Sequence, residues 1–364
     1  MSRILVIGAG VVGLSVARAA LRRGHRVTLI EQGAVPNPHA ASWDQHRMIR
    51  FHYGAAEGYT RMVAEAFEAW RALWQELGIE HYAASGALAI SLRAGDYADE
   101  TARTFERLRI SHDRLDADAL ARLCPHLDLP APARGVLAEG GPLFADRIVG
   151  DLARLVRDRG AEILEHARVV AVDATAGSIR LADGRVLDGD LVVVAAGAWL
   201  PDLLPAEYGA LPVWRQTLCY VEAPAAYRES WARGPALVVL GDRDVYTLPP
   251  RAGTGLKFGS GEQRRPAKPA GGFEAPLEFG RRVIADFGPY LRDADAYRPL
   301  RLQVGYYVKE PSRRFRLEQS GRRVVVTNCD GQMFKFGPLI GERLIAAWDG
   351  GASFPELARW AAGY

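Results

Sequence analysis

Gly8-Ala9-Gly10-Val11-Val12-Gly13 follows a short apolar run and opens a helical pattern, and that placement gives the six residues a chemistry. In a strand–turn–helix, the first glycine permits the tight turn and the second lets backbone approach a pyrophosphate. The third lets the helix pack on the strand, while the helix N-terminus offers N–H donors and positive dipole to phosphate. Glu31 ends the next apolar run, roughly 20 residues on, where a carboxylate accepts from a ribose 2′-hydroxyl and repels a 2′-phosphate. The motif therefore points to a dinucleotide other than NADP, with NAD and FAD both open. Residues 191–196 form another apolar run, ending in Gly197-Ala198-Trp199, whose small residues suit a strand end lying against that dinucleotide.

A second set of residues carries charge in apolar company. Arg47-Met48-Ile49-Arg50 holds two guanidiniums, Lys257 stands between Leu256 and Phe258, and Lys335 between Phe334 and Phe336. Cations so embedded can bind a carboxylate, arginine bidentately. Strand alternation equally allows such a lysine to point at solvent. His46 and His52 flank the arginine pair and read as packed or surface histidines. Cys124, Cys219 and Cys329 have no metal-ligand spacing, and no Ser-His-Asp constellation is visible.

The elements that must position these residues alternate in texture. Residues 4–7, a helix over 11–23 stopped by Gly24, and residues 26–30 make a complete βαβ unit. Residues 54–77 carry Val63, Phe67, Trp70, Trp74 and Leu77 at helical spacing, a core stripe. Short strands and charged helices follow from residue 87 to about Arg134. A helix over 145–159 and a strand around Val169 then return to the first texture. Asp183-Gly184 predicts a hairpin between residues 178–181 and 186–187. Residues 212–310 read as an antiparallel sheet with a surface loop at 266–272, and 324–327 and 339–348 as the last strand and helix. The prediction is an α/β chain in which a Rossmann-type domain (1–84, 142–211, 312–364) is interleaved with an antiparallel-sheet substrate domain (85–141, 212–311).

Composition excludes other classes. The net charge is only +3, and basic residues do not alternate with aromatics as on a nucleic-acid platform. No stretch approaches the roughly 18 apolar residues of a membrane span. The initial apolar run is too short for a signal peptide, and three cysteines suit a reducing compartment. A soluble cytoplasmic protein without nucleic-acid or membrane partners is expected.

Taken together, the N-terminal fingerprint, Ala195-Ala-Gly-Ala-Trp199, Arg47-Met-Ile-Arg50, Gly255-Leu-Lys-Phe-Gly259 and Phe334-Lys-Phe336 resemble the D-amino-acid-oxidase-type flavoproteins. Within them the likeness is to the monomeric sarcosine oxidase and pipecolate oxidase branch, over nearly the whole chain. The resemblance implies FAD held by Gly8, Gly10, Val11, Val12, Gly13 and Glu31, with Val169, Ala196, Gly197, Trp199, Gly331 and Lys335 in contact. It implies a substrate carboxylate held by Arg50 and Lys335, with Tyr246 in the cavity wall. Lys257 matches a lysine promoting reaction with oxygen, and Arg47 an arginine near the flavin ring. The implied activity is oxidation of a small amine or amino acid by hydride transfer to flavin, with imine hydrolysis and peroxide release. Pro338, expected at the first position of the last helix, would aim that helix's dipole at the flavin.

The chain also departs from that branch. Gly305 stands where a cysteine links flavin covalently, so dissociable FAD is expected. Asn328-Cys-Asp-Gly-Gln-Met333 replaces a more glycine-rich stretch with a histidine at the position of Gln332. Gly261 and Trp43 each replace a histidine. These changes leave the substrate unnamed and keep alternatives open: a dehydrogenase passing electrons to a quinone or protein, a redox sensor without turnover, or an NAD enzyme.

Overall fold

A strand whose central residues are all apolar must be covered on both faces, and Arg3–Ile7 is. Ile4 and Val6 enter a cluster with Leu14, Trp70, Ile148 and Leu344, whereas Leu5 and Ile7 enter another with Val169, Ile179 and Leu200. Leu191–Val194 and Arg323–Thr327 divide their residues between the same two clusters. The computed structural model describes residues 1–241 and 243–364. In it these strands form a six-stranded sheet, ordered Arg316–Ser320, Arg323–Thr327, Leu191–Val194, Arg3–Ile7, Arg26–Ile30 and Glu162–Leu164. All its neighbours are parallel except the first pair.

Helices Val11–Arg22, Glu57–Leu77, Ala145–Asp158 and Gly337–Trp348 supply one covering layer. The small antiparallel sheet of Val169–Asp173, Ser178–Leu181 and Val186–Asp188 belongs to the other, its last two strands joined at Asp183-Gly184. Contact between the first helix and Gly337–Trp348 is close enough that a Cβ on Gly341 would lie 2.5 Å from the carbonyl oxygen of Ser15.

A nine-stranded sheet draws its strands from residues 87–138 and 213–308. Its alternation separates two environments. Cys219, Val221, Leu256 and Phe258 pack with Trp231, Val283 and Phe287, while the intervening residues Tyr220 and Lys257 form a cross-strand pair on the opposite face. The sheet is not wholly antiparallel, because Ala87–Ser91 and Ala236–Leu240 run parallel where its two portions meet. Arg47–Arg50 lies outside it, in a two-stranded ribbon with Gly140–Leu143.

Several boundaries differ from expectation. The helix expected at 54–77 begins at Glu57, and the strand at 191–196 ends at Val194. Gly337, not Pro338, takes the first position of its helix, and that helix is not the last. Phe354–Ala361 follows, opened by Ser353 and Glu356 in a reciprocal capping box. The loop at 266–272 contains a single 3₁₀ turn, Pro269–Gly271. Among the described residues, no helix is long and apolar enough to cross a membrane.

Candidate active site

The glycine turn is fixed by sterics. Gly8 has φ +100°, and a Cβ there would lie 2.5 Å from the carbonyl oxygen of Ala195. A Cβ on Gly13 would run into the carbonyl of Gly8 itself. Glu31 sits at the end of its strand as expected, yet its carboxylate is not free. It accepts from Ala9 N–H at 2.9 Å, Gly33 N–H at 3.0 Å and Asn37 Nδ2 at 2.9 Å. About one of a carboxylate's four acceptor sites remains free of the turn that Glu31 braces. Ser42 Oγ accepts from Val11 N–H at 2.9 Å, a contact at the helix N-terminus that no motif announced.

A single cavity of about 850 Å³ runs from this turn across to the large sheet. Gly8, Gly10, Val11, Val12, Glu31, Val169, Ala196, Gly197 and Trp199 line it, with Gly13 packed beneath the turn. Arg47, Arg50, Tyr246, Lys257, Gly331 and Lys335 line the same space. Tyr246 lies opposite Gly259, and its ring occupies the volume that a Cβ on Gly259 would fill. Gly305 also faces the cavity, with open space where a side chain would begin.

Lys257 does not point to solvent. It is 1% exposed, and its Nζ donates to Asp44 Oδ2 at 2.9 Å and to the carbonyl of His46. The same carboxylate accepts from Arg47 and from the Tyr220 hydroxyl. Burial alone would raise the Asp44 carboxyl, but Lys257, Arg47 and Tyr220 together carry it well below the usual carboxylate range. Burial pushes Lys257 down to about 8 against the opposing pull of Asp44, with Arg47 adding to the fall. Asp44 was not among the anticipated residues. It is a lone aspartate between Trp43 and Gln45, and no local spacing links it to a strand more than 200 residues away.

Arg50 and Lys335 are brought together by Gln332. Arg50 Nη2 donates to Gln332 Oε1 at 3.2 Å, and Lys335 Nζ donates to the Gln332 carbonyl at 2.9 Å and to Tyr53 Oη at 3.0 Å. Arg50 also lies 4.7 Å above the Tyr53 ring. Lys335 belongs to the short turn Met333–Phe336, not a strand, so alternation does not carry it outward, and it is 4% exposed. No carboxylate pairs with either cation among the described residues. Burial, then the neighbouring Arg50, lowers Lys335 well below the ordinary lysine range.

His46 and His52 donate at 3.0 Å to the carbonyls of Gly255 and Val136, are held neutral by burial at about 3, and do not line the cavity. Cys329 does line it, its thiol raised by burial to about 11. No group of His, Cys, Asp or Glu among the described residues could hold a metal ion.

These residues fit a long, phosphate-bearing dinucleotide. The strained glycine turn leaves a cradle against Ala195, and the volume falls in the range of large-ligand sites. Thr327 Oγ1, a cavity-lining hydroxyl, is buried with no partner among the described residues.

Residues 3–348 match the family described as FAD dependent oxidoreductase, and the chain belongs to it. It is 26% identical over 356 residues to human peroxisomal sarcosine oxidase, covering 93% of this chain and 90% of that one. It is 26% identical over 361 residues to N-methyl-L-tryptophan oxidase of Salmonella arizonae, covering 93% and 92%. Two solved structures share the fold at a TM-score of 0.82. One is NikD, described as an unusual amino acid oxidase (21% identity, 99% and 97% covered), and the other is L-proline dehydrogenase of P. horikoshii (20% identity, 100% and 97% covered).

Proposed function

We propose that this flavoenzyme oxidises the C–N bond of an amino acid or N-substituted amino acid, with oxygen as final acceptor and hydrogen peroxide as product. The observation that carries the reading is the pair of cations at Arg50 and Lys335, joined through Gln332 and without a carboxylate of their own. A substrate carboxylate supplies the missing anion, and Arg50 can take it bidentately. The relatives' names, sarcosine and N-methyl-L-tryptophan oxidase, support the same substrate class.

Gly8, Gly10, Gly13, Glu31, Val169 and the turn at Ala196-Gly197 hold FAD, which supplies the two-electron acceptor when bound. Arg50 and Lys335 hold the carboxylate and thereby orient the substrate's C–H bond. Tyr246, its ring over Gly259, bounds the cavity wall. His46 and His52 do not line the cavity, and no protein base is required if the amine binds neutral. Lys257 and Arg47 contribute positive charge to the wall, suited to charge developing on oxygen in a dry site. FAD is held without a covalent bond, since Gly305 offers no nucleophile and the Cys329 thiol is held protonated. Three free cysteines support a reducing, cytoplasmic setting.

A panel of sarcosine, cyclic imino acids, D-amino acids and aromatic N-methyl amino acids, added anaerobically, tests the reading. One or more should bleach the flavin absorbance, and stoichiometric peroxide should appear under air. A panel that leaves the absorbance unchanged rejects it. A second reading, transfer to a quinone or protein acceptor, is favoured by the Asp44–Lys257 pair, which offsets part of the lysine's charge. Bleaching without peroxide would select that reading.

A further inference from the structure

Lys257 and Arg47 share one carboxylate, and its geometry gives it a function of its own. Asp44 has a side chain 0% exposed, and it does not line the cavity. Its Oδ2 accepts from Lys257 and Arg47, and its Oδ1 accepts from the Tyr220 hydroxyl and from Gln45 N–H at 2.9 Å. With roughly four acceptor sites on a carboxylate, none is left for substrate or for a proton in transit. The backbone is anchored too, because the Asp44 carbonyl accepts from Asp146 N–H at 2.9 Å, in the first turn of Ala145–Asp158. Of the three ammonium donors of Lys257, one meets Asp44 and one the His46 carbonyl, which leaves one for the cavity.

We propose that Asp44 is a positioning residue, whose carboxylate keeps Lys257 charged and aimed into the cavity and holds Arg47 against the same wall. A lysine buried without an anion gives up its proton. The other groups around Lys257 do not replace Asp44. Arg47 repels it, and Arg301, paired with Tyr220 on the strand beyond it, is a further cation 3.9 Å from Asp44 Oδ1. His46 is neutral, and Tyr220 presents its ring 6.0 Å from Nζ. Asp44→Asn therefore leaves the buried Lys257 and the partly exposed Arg47 with no counter-ion, and Lys257, already lowered to about 8, falls further. The consequence for oxidation rests on the role given to Lys257 above, whereas the pairing itself does not.

The chain makes the test direct, because only four of its 46 Lys and Arg residues are lysines: Lys257, Lys268, Lys309 and Lys335. In FAD-loaded protein grown with ¹³C-labelled lysine, Lys257→Met identifies the Lys257 resonance, and its titration is then followed by NMR. In Asp44→Asn the proton affinity of Lys257 should fall at least about tenfold, and Asp44→Glu should recover most of the loss. An unshifted titration in Asp44→Asn overturns the proposal. If Asp44→Asn does not fold, Asp44→Asn/Lys257→Met removes one of the two stranded cations and should restore flavin-binding protein. A double variant as unfolded as the single one overturns it equally. Flavin reoxidation separates the two ideas. If Lys257→Met reoxidises at the wild-type rate while Asp44→Asn shifts the resonance, the oxygen role fails and the positioning role stands.

Discussion

Arg50 and Lys335 both reach Gln332, and neither has an ion pair among the described residues. Asp330, bonded to the Gln332 amide, attracts Lys335 only from beyond ion-pair distance, so a carboxylate ligand meets a charge that the protein leaves largely unpaired. Replacing either by alanine should weaken a carboxylate ligand by about 1.5–3 kcal/mol, the range for a charged hydrogen bond. Calorimetric titration of a carboxylic acid lacking an amine isolates this from turnover, and an unchanged Kd in either variant would reject the clamp. The pH dependence has a definite sign. Lys335 is protonated below its lowered pKa and neutral above it, so affinity is full on the acid side. Affinity should decline as pH rises, beginning below the ordinary lysine range. Lys335→Met should abolish that decline while Arg50→Ala keeps it, because Lys335 still titrates there.

At the scale of elements, the cavity depends on how closely helices and turns approach. Gly341→Val pushes a branched side chain into the Ser15 backbone, and overpacking of this kind costs about 1–3 kcal/mol. Gly150, in the helix Ala145–Asp158, has nothing within 4 Å of its Cβ position. Gly150→Ala should therefore stabilise by about 0.8–1 kcal/mol through helix propensity alone. Opposite shifts of the melting temperature in the two variants are expected; shifts of the same sign would contradict the packing account. The contrast also shows what a sequence carries. The strand–turn–helix at Gly8, the strand ending at Glu31 and the hairpin at Asp183-Gly184 were legible, because each is specified by neighbours in the chain. Lys257 was legible as a cation among apolar residues, but not its direction, since alternation gives two faces and only the assembled sheet shows which is the cavity. Asp44 and Gln332 were not legible as partners. Each has one partner three residues away, Arg47 and Lys335, but joins it to a residue more than 200 positions off, Lys257 and Arg50, and a single Asp or Gln carries no period that reveals that link.

Taken whole, the molecule places its cofactor cavity between two sheets with separate cores, so whatever fills the cavity ties both to one ligand. That arrangement makes the mode of FAD attachment measurable as stability. A dissociable ligand that binds only the folded state stabilises by mass action, about 2.7 kcal/mol at a hundredfold excess over Kd, and more as the excess grows. A covalently linked flavin gives no such dependence. Three cysteines could in principle form a thioether, but Cys124 and Cys219 lie in the core behind the large sheet, and burial raises both thiols to about 12. Cys329 faces the cavity with its thiol raised to about 11, and at neutral pH almost none of it is the thiolate that bond formation needs. Acid precipitation of the purified protein should therefore release the yellow chromophore into the supernatant as FAD. The stripped protein should melt at a temperature that climbs with added FAD. Flavin retained in the pellet would overturn dissociable attachment, and its release by Cys329→Ser would then place the link at Cys329.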